Sequence, residues 1–597
     1  MIISAYEFES IADEYDLLAA RCSTIFMEDI LSGDFMIVCE NEQRVQQLAS
    51  HFFNKNIPVF HDHLIDCNNL AFSGKLLRLL RYIEQEQHFP GSGDALLYEL
   101  LHYDFFAVPH EAILQLTVNW SRQRYSVQSV SLRRLLAIEA GQPAKDLFDP
   151  ELHIALKKVS ALLENAGAAS PQSSLDIFIE NFFSELTVSS SLQQNTIRCI
   201  VDFCRQELKK DPGLKLTEVT GRLASALQEQ HPLLRQLVPA NPSGIRIASI
   251  DNFGKDCPEQ LVLASVSNQE TLDKMLSSFQ SAKHKSVQLH LLKPFTTRDL
   301  GRRFDVGNEI ATTTFPPNLP VISLPPADFL SPILSKFVMS VSALNCFLDC
   351  PLGFYFQYIL RVPFAKSDAL LFGSSIHDAL EKLFRAMQEG GKEAFPPADF
   401  LLQTFEQSML QQRANFTKEG WQTRLHYGID VLQQYYDRNV SGWNKVVAIE
   451  RNIRAAVSGV PIKGKLDKLE FNGKEINVVD YKSGNVEKAL LKMRGPNEDD
   501  PDGGAYWRQA VFYKILIDHY QQKEWRVVST EFDFIEPDQQ RQYRKEKLLI
   551  SPADTETVKQ QIISSWYKIQ QHEFHTGCGK SGCYWCGFVR ENFPPQR

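Results

Sequence analysis

The sequence predicts two α/β domains in series, the first interrupted by a long helical insertion. Three observations predict this. Apolar runs of strand length flank helically spaced stretches near residues 35–60, and such runs return between Ile245 and Leu292. From about Leu70 to Arg235 the apolar spacing is mostly helical, as in "KLLRLLRYIEQ" and "LDIFIENFFSEL". A proline-dense stretch, "ATTTFPPNLPVISLPPADFLSP", then separates this pattern from a second one that runs to the last residue. The boundaries expected are therefore 1–310 for the first domain, 311–334 for a linker and 335–597 for the second domain.

A length of 597 residues suits several domains, and 44% hydrophobic with 23% charged residues is ordinary for globular protein. A formal net charge of -9 means that the surface as a whole repels polyanions. Any nucleic acid must bind in a locally basic groove or through a metal. No apolar run is long enough to span a membrane, and "MIISAYEFESIADEYD" lacks the basic and apolar regions of a signal peptide. The expected compartment is the cytoplasm. Eleven cysteines in so long a chain exclude a disulfide scaffold, yet Cys578, Cys583 and Cys586 crowd into nine residues.

In the first domain, Phe35–Cys39 reads as a strand, a helix follows to about Asn54, and "IPVF" resumes extended structure. "IRIASI", "QLVLASV" and "VQLHLL" supply the later strands. The second domain opens with "SVSALNCFLDCPLGFYFQYIL". In "FGSSIHDALEKLFRAMQEGG", Ile376, Ala379, Leu380, Leu383, Phe384 and Met387 form one helical stripe, Ser375 with Asp378 suits a helix start, and His377 falls in the first turn. "PIKGKLDKLEF" and "INVVDYKSG" read as strands joined at an Asn-Gly turn, a hairpin able to bring Asp467 near Asp480. Asp480 and Lys482, at i and i+2, project from one face of the second strand. The helix "YWRQAVFYKILIDHY" is apolar nearly all round, with Gln509 and Tyr513 sharing one face at i and i+4. Between the hairpin and this helix, "RGPNEDDPDGG" reads as a mobile loop.

These residue types suit phosphodiester hydrolysis. Two carboxylates and an imidazole hold a hard divalent ion while leaving positions for water and phosphate. An ammonium beside the second carboxylate orients the attacking water and stabilises developing negative charge. The order G-x-x-x-H (Gly373 to His377), G-x-x-D (Gly464 to Asp467), D-Y-K-S (Asp480 to Ser483) and Q-x-x-x-Y (Gln509 to Tyr513) resembles PD-(D/E)xK nucleases of the RecB and AddB type. The resemblance implies a restriction-endonuclease-like α/β fold. It implies that His377, Asp467, Asp480 and the backbone carbonyl of Tyr481 hold Mg²⁺ or Mn²⁺, and that Lys482 is catalytic. Gln509 and Tyr513 would position DNA. Glu450, in "VVAIERNI", stands where the family often has an acidic residue.

Cys583 and Cys586 form a C-x-x-C with Cys578 five residues earlier, and a closed thiolate site needs one more ligand. AddB-type nucleases are similar: one cysteine before the nuclease core and three after it bind a 4Fe–4S cluster. "S-x-S-x-L-x-x-F-x-x-C-P" matches the family's approach to the first of these and selects Cys350, although Cys346 is close by. The exit departs from the family's C-x2-C-x5-C, because Asn592 occupies the last position and Cys578 stands in for it. Four-thiolate Zn²⁺ is the alternative to the cluster.

No P-loop occurs in the chain. Residues 41–83 nevertheless resemble the second motor half of UvrD-like helicases, with "GIRIASIDNFGKDCPEQLVLASV" standing where those enzymes carry a Thr-Ile-His and Lys-Gly-Leu-Glu segment that is eroded here. This implies a helicase-derived scaffold without ATP hydrolysis. The combined expectation is a Mg²⁺-dependent deoxyribonuclease, an exonuclease, in recombinational double-strand-break repair beside an AddA-type helicase–nuclease partner. The alternatives are a non-catalytic DNA-binding or assembly subunit of such a complex and a stand-alone defence nuclease.

Overall fold

A computed structural model describes the chain except for residues 1, 9, 28–34, 61, 124–129, 142–149, 169–174, 189, 253–257, 280–285, 297–310, 315–318, 365–366, 392–393, 417, 499, 521–523, 581 and 594–597. Pro316 and Pro317 of the expected linker, and residues 253–257 of the eroded helicase-like segment, thus lie outside the described residues. The chain divides into two compact units. One comprises 1–87, 99–113 and 136–319; the other comprises 88–98, 114–135 and 320–597.

The first unit is built on a parallel sheet. Its strands are β1 (Ile2–Phe8), β2 (Phe35–Cys39), β5 (Arg246–Ser249), β6 (Gln260–Val266), β7 (Ser286–Leu292) and β8 (Ala311–Thr314), in the order β5-β2-β6-β7-β1-β8. Successive residues of β2 enter opposite cores: Phe35, Ile37 and Cys39 one, Met36 and Val38 the other. Burial on both faces is what a parallel sheet with helices on either side requires. "IPVF" contributes less than expected. Val59 forms a lone bridge to Ile245, and Pro58 has no N–H for a ladder. The true next strand, β3 (His63–Asp66), pairs with β4 (Arg235–Val238) in a separate two-stranded ribbon. Helices from Ala71–His88 to Leu216–Gln228 fill the interval between β3 and β4, as the spacing predicts.

The second unit holds a five-stranded sheet. The strands are β9 (Val447–Val457), β10 (Val460–Asn472), β11 (Glu475–Lys482), β12 (Arg526–Phe534) and β13 (Lys545–Leu548), ordered β13-β12-β11-β10-β9. Only the β11–β12 pair is parallel. β10 and β11 form the expected hairpin. Its turn is Gly473-Lys474, flanked by the pair Asn472–Glu475, and Gly473 takes the φ of 63° that a tight hairpin needs at its first central position. Helices Asp368–Glu389, Ala398–Gln411 and Lys418–Asn439 share a core with Val479 and Tyr481 of β11. The intervening Asp480 faces the helix Ala505–Asp518 instead.

Three local readings are corrected. The His377 helix is capped by Ser367, two turns before the expected Ser375, so His377 lies mid-helix and Ser375 is fully buried. Proline density does not keep 327–334 from being helical: Ala327–Leu334 forms a short helix around Pro332, held by the buried Leu330 and Leu334. The acidic loop after β11 is strapped down rather than mobile in its described residues. Buried Arg508 donates to the carbonyls of Asp502 (2.8 Å) and Gly503 (2.7 Å), and also to Gln561 and Asn345.

Candidate active site

Three acidic residues stand level across β9, β10 and β11. The register that pairs Lys468 with Val479 carries Asp467 to a position opposite Asp480, but the ladder stops before that pair. The freed N–H of Tyr481 donates to Asp467 Oδ2 at 3.0 Å, so a side chain replaces the ladder acceptor and the strands part where the carboxylates sit. On the other side, β9 and β10 pair on both sides of Glu450 and Asp467 but skip that pair. Glu450 there adopts φ 52°, a left-handed conformation costly for a glutamate. Its side chain is nearly buried and forms an ion pair with Lys465.

Around Asp480 the partners are divided by oxygen. Oδ1 accepts from Gln509 Nε2 (2.9 Å) and Tyr513 Oη (2.9 Å). Oδ2 lies 2.6 Å from Lys482 Nζ, yet it is buried without a well-directed hydrogen bond. Lys482 also donates to Gln509 Oε1 at 2.8 Å and sits over the Tyr506 ring at 4.3 Å. On the Asp467 side, His377 Nδ1 stands 3.1 Å from Oδ2. Close approach of these elements depends on the motif glycines. A Cβ on Gly373 would meet Ser483 Oγ at 2.6 Å, and one on Gly464 would meet Leu516 Cδ2 at 2.6 Å.

The electrostatics follow from burial and charge crowding. Burial raises the Asp480 carboxyl, Lys482 pulls it down, Asp467 pushes it up, and the net position lies above the usual range. Asp467 is lowered: burial opposes ionisation, but His377 and the Tyr481 N–H outweigh it. His377 is raised, because Asp467, and Asp480 beyond it, overcome the effect of burial. Lys482 is also raised, with Asp480 and Tyr506 outweighing burial. Two carboxylates that resist sharing a site, one with a buried under-satisfied oxygen, suit a divalent cation between them. An imidazole completes that donor set. These donor types are the ones that a hard divalent cation takes.

The structure brings Glu450, His377, Asp467, Asp480, Lys482, Gln509 and Tyr513 together on one open cleft of about 740 Å³. Gln509 and Tyr513 hold the carboxylate and ammonium directly. Tyr506 was not singled out by sequence. Tyr506 carried a usable signal, one helical turn before Gln509 on the same face. A cationic group also stands on this unit: burial, then the nearby Arg361 and Arg454, lower the Lys463 ammonium.

A second cluster joins the two ends of this unit. The sulfurs of Cys350, Cys578, Cys583 and Cys586 all lie within 4.8 Å of one another. Cys350 ends the helix Val341–Asp349, its Sγ accepting from Gly353 N at 3.4 Å, and Cys583 caps the helix Tyr584–Asn592. Burial, and then Cys350, push the Cys578 thiol up to about 11, although the Lys580 N–H opposes this. Four such sulfurs crowd together as a metal site does. Cys346 instead accepts from Gln357 Nε2 (3.5 Å), and Asn592 binds Phe588 O (2.9 Å).

Residues 338–590 match the family model of the PD-(D/E)XK nuclease superfamily. No curated protein matches the chain. Among solved structures, a "Putative exonuclease" from Eubacterium rectale matches with 15% identity and a TM-score of 0.31, over 46% of this chain and 96% of that one. So loose a likeness carries no weight for function. The segment that builds the cleft, residues 338–590, is a PD-(D/E)XK nuclease superfamily domain.

Proposed function

We propose that the chain is a metal-dependent deoxyribonuclease, acting as an exonuclease within a helicase–nuclease assembly of recombinational repair. The observation that carries the catalytic reading is the buried Asp480 Oδ2, short of partners between Lys482 and the Asp467–His377 pair. His377, Asp467, Asp480 and the carbonyl of Tyr481 would hold Mg²⁺ or Mn²⁺, which supplies Lewis-acid polarisation of the phosphate and a lowered water pKa. The protein's own groups do the rest. Lys482, kept charged by Asp480, orients the attacking water and stabilises negative charge growing on the phosphate oxygens. Gln509 and Tyr513 fix the Asp480 rotamer from behind, and Gln509 also fixes Lys482. Both also line the cleft, which keeps contact with DNA within their role. Glu450 adds a third carboxylate on the cleft.

The rest of the proposal rests on the family resemblance. Residues 1–310 would be a helicase-like scaffold without ATPase activity, 311–334 a connection and 335–597 the nuclease, with an AddA-type partner supplying translocation. The test of the site is Mn²⁺ binding followed by the electron-spin resonance of the free ion. Asp480→Ala should abolish both tight binding and DNA cleavage while leaving the melting curve intact. Cleavage unchanged in that variant would remove the assignment.

A further inference from the structure

The cysteine cluster discriminates between its two expected occupants. In a four-iron cubane each thiolate binds a different iron, and the four sulfurs point outward at separations of roughly 6 Å. In a four-thiolate zinc site all four bind one ion at about 2.3 Å, which sets the edges of the sulfur tetrahedron at about 3.8 Å. Here Cys350 Sγ stands 3.9 Å from Cys586 Sγ, and Cys578 Sγ 3.7 Å from the same atom. No pair among the four exceeds 4.8 Å. These distances belong to the smaller tetrahedron.

The surroundings leave little room to expand. A Cβ on Gly577 would meet Cys586 Sγ at 2.7 Å and Pro320 Cγ at 2.7 Å, so the backbone already closes on the sulfur. Trp585, next to Cys586, stacks on Phe356 with ring centroids 4.6 Å apart, and a Cβ on Gly353 would come within 3.0 Å of its indole. Gly577 N donates to Pro320 O at 2.8 Å and Ile322 N to His575 O at 3.0 Å, fixing the segment that delivers Cys578. The local sequence agrees. Cys583 at the helix N-cap and Cys586 three residues on form the close C-x-x-C pair of structural zinc sites.

We propose that Cys350, Cys578, Cys583 and Cys586 bind a single tetrahedral zinc ion, and that the four-iron cluster implied by the AddB resemblance does not fit this chain. Cys578, from the N-terminal side of the C-x-x-C, is the ligand that makes the difference. It reaches the same small tetrahedron from a tight loop, whereas the family's last cysteine position is an asparagine bonded elsewhere.

The test uses the full chain, purified without oxygen from cells grown with added iron and zinc. Elemental analysis should give about one zinc per chain and iron below a tenth of that. Protein loaded with Co²⁺ should show the intense visible d–d bands of a tetrahedral four-thiolate site. Cys578→Ser should lose those bands and most of the zinc, while Asn592→Ala should retain both. About four irons per chain with the broad visible absorption of an iron–sulfur cluster would overturn the proposal, as would purified protein holding neither metal. Metal content and spectra are read without any cleavage assay, so failure here and failure of the nuclease reading are separate results.

Discussion

Gly464 and Glu450 show how the site is bought at the level of single residues. A side chain at Gly464 would strike Leu516, a well-packed leucine of the helix that carries Gln509 and Tyr513. Gly464→Ala should therefore destabilise the domain by about 1–3 kcal/mol, the usual range for overpacking, measured by chemical denaturation. It should also lower cleavage by displacing that helix from Asp480. Glu450 carries the opposite balance, because its left-handed backbone is strained for any residue with a Cβ. Glu450→Gly should leave stability unchanged or raise it by up to about 1 kcal/mol while cleavage falls at least about tenfold. A fall in stability with full activity would show that Glu450 serves the fold alone. Sequence already named Asp467 and Asp480, since a D-x-K at a strand end and a hairpin turn are local patterns, while Glu450 came only from the family resemblance. It gave no sign that the ladder would break at Asp467 or that Glu450 would be left-handed, because both depend on the pairing of three strands.

Among the elements, the helix Ala505–Asp518 does most to organise the cleft. One side presents Gln509 and Tyr513 to Asp480, and Arg508 reaches back to clamp the preceding loop. Buried Arg508 has only neutral partners among its hydrogen bonds, and removing it leaves two carbonyls, Asn345 and Gln561 short of a donor. Arg508→Ala should cost at least about 2 kcal/mol and open residues 494–504 to limited proteolysis. Proteolytic resistance equal to the wild type would mean that the loop is held by its backbone bonds alone. Composition pointed the other way here. Gly, Pro and acidic residues describe a segment without its own core, but say nothing of an arginine arriving from the next helix. The hairpin, the strand ending in Asp480 and the buried helix were legible for the converse reason, since turn chemistry and hydrophobic period are local.

Across the whole molecule, legibility falls with distance along the chain. Helical spacing between Leu70 and Arg235 predicted helices, yet segments 88–98 and 114–135 group with the second unit. An amphipathic stripe specifies that a face is buried, not which core receives it. Within that unit Tyr98 stacks on Phe588 at 5.9 Å, a contact that spacing alone does not forecast. Spacing marked Cys578, Cys583 and Cys586 as a local group, and the family resemblance tied distant Cys350 to them; the structure brings all four sulfurs together. A metal held by all four would crosslink Cys350 to Cys578, Cys583 and Cys586 and constrain the unfolded chain by up to roughly 5 kcal/mol, so Cys583→Ser should melt well below Asp480→Ala. Equal melting temperatures would remove the staple. Among the described residues no helix is long and apolar enough to cross a membrane. Purified chain should show no ATP turnover, and activity that survives further purification would overturn the scaffold reading of residues 1–310. The central claim is tested most directly by end-labelled DNA incubated with the purified chain in Mg²⁺ or Mn²⁺, in EDTA, and beside Lys482→Ala. The account predicts metal-dependent release of label, lost in EDTA and reduced at least about a hundredfold by the substitution. Cleavage that persists in EDTA or in Lys482→Ala would contradict it.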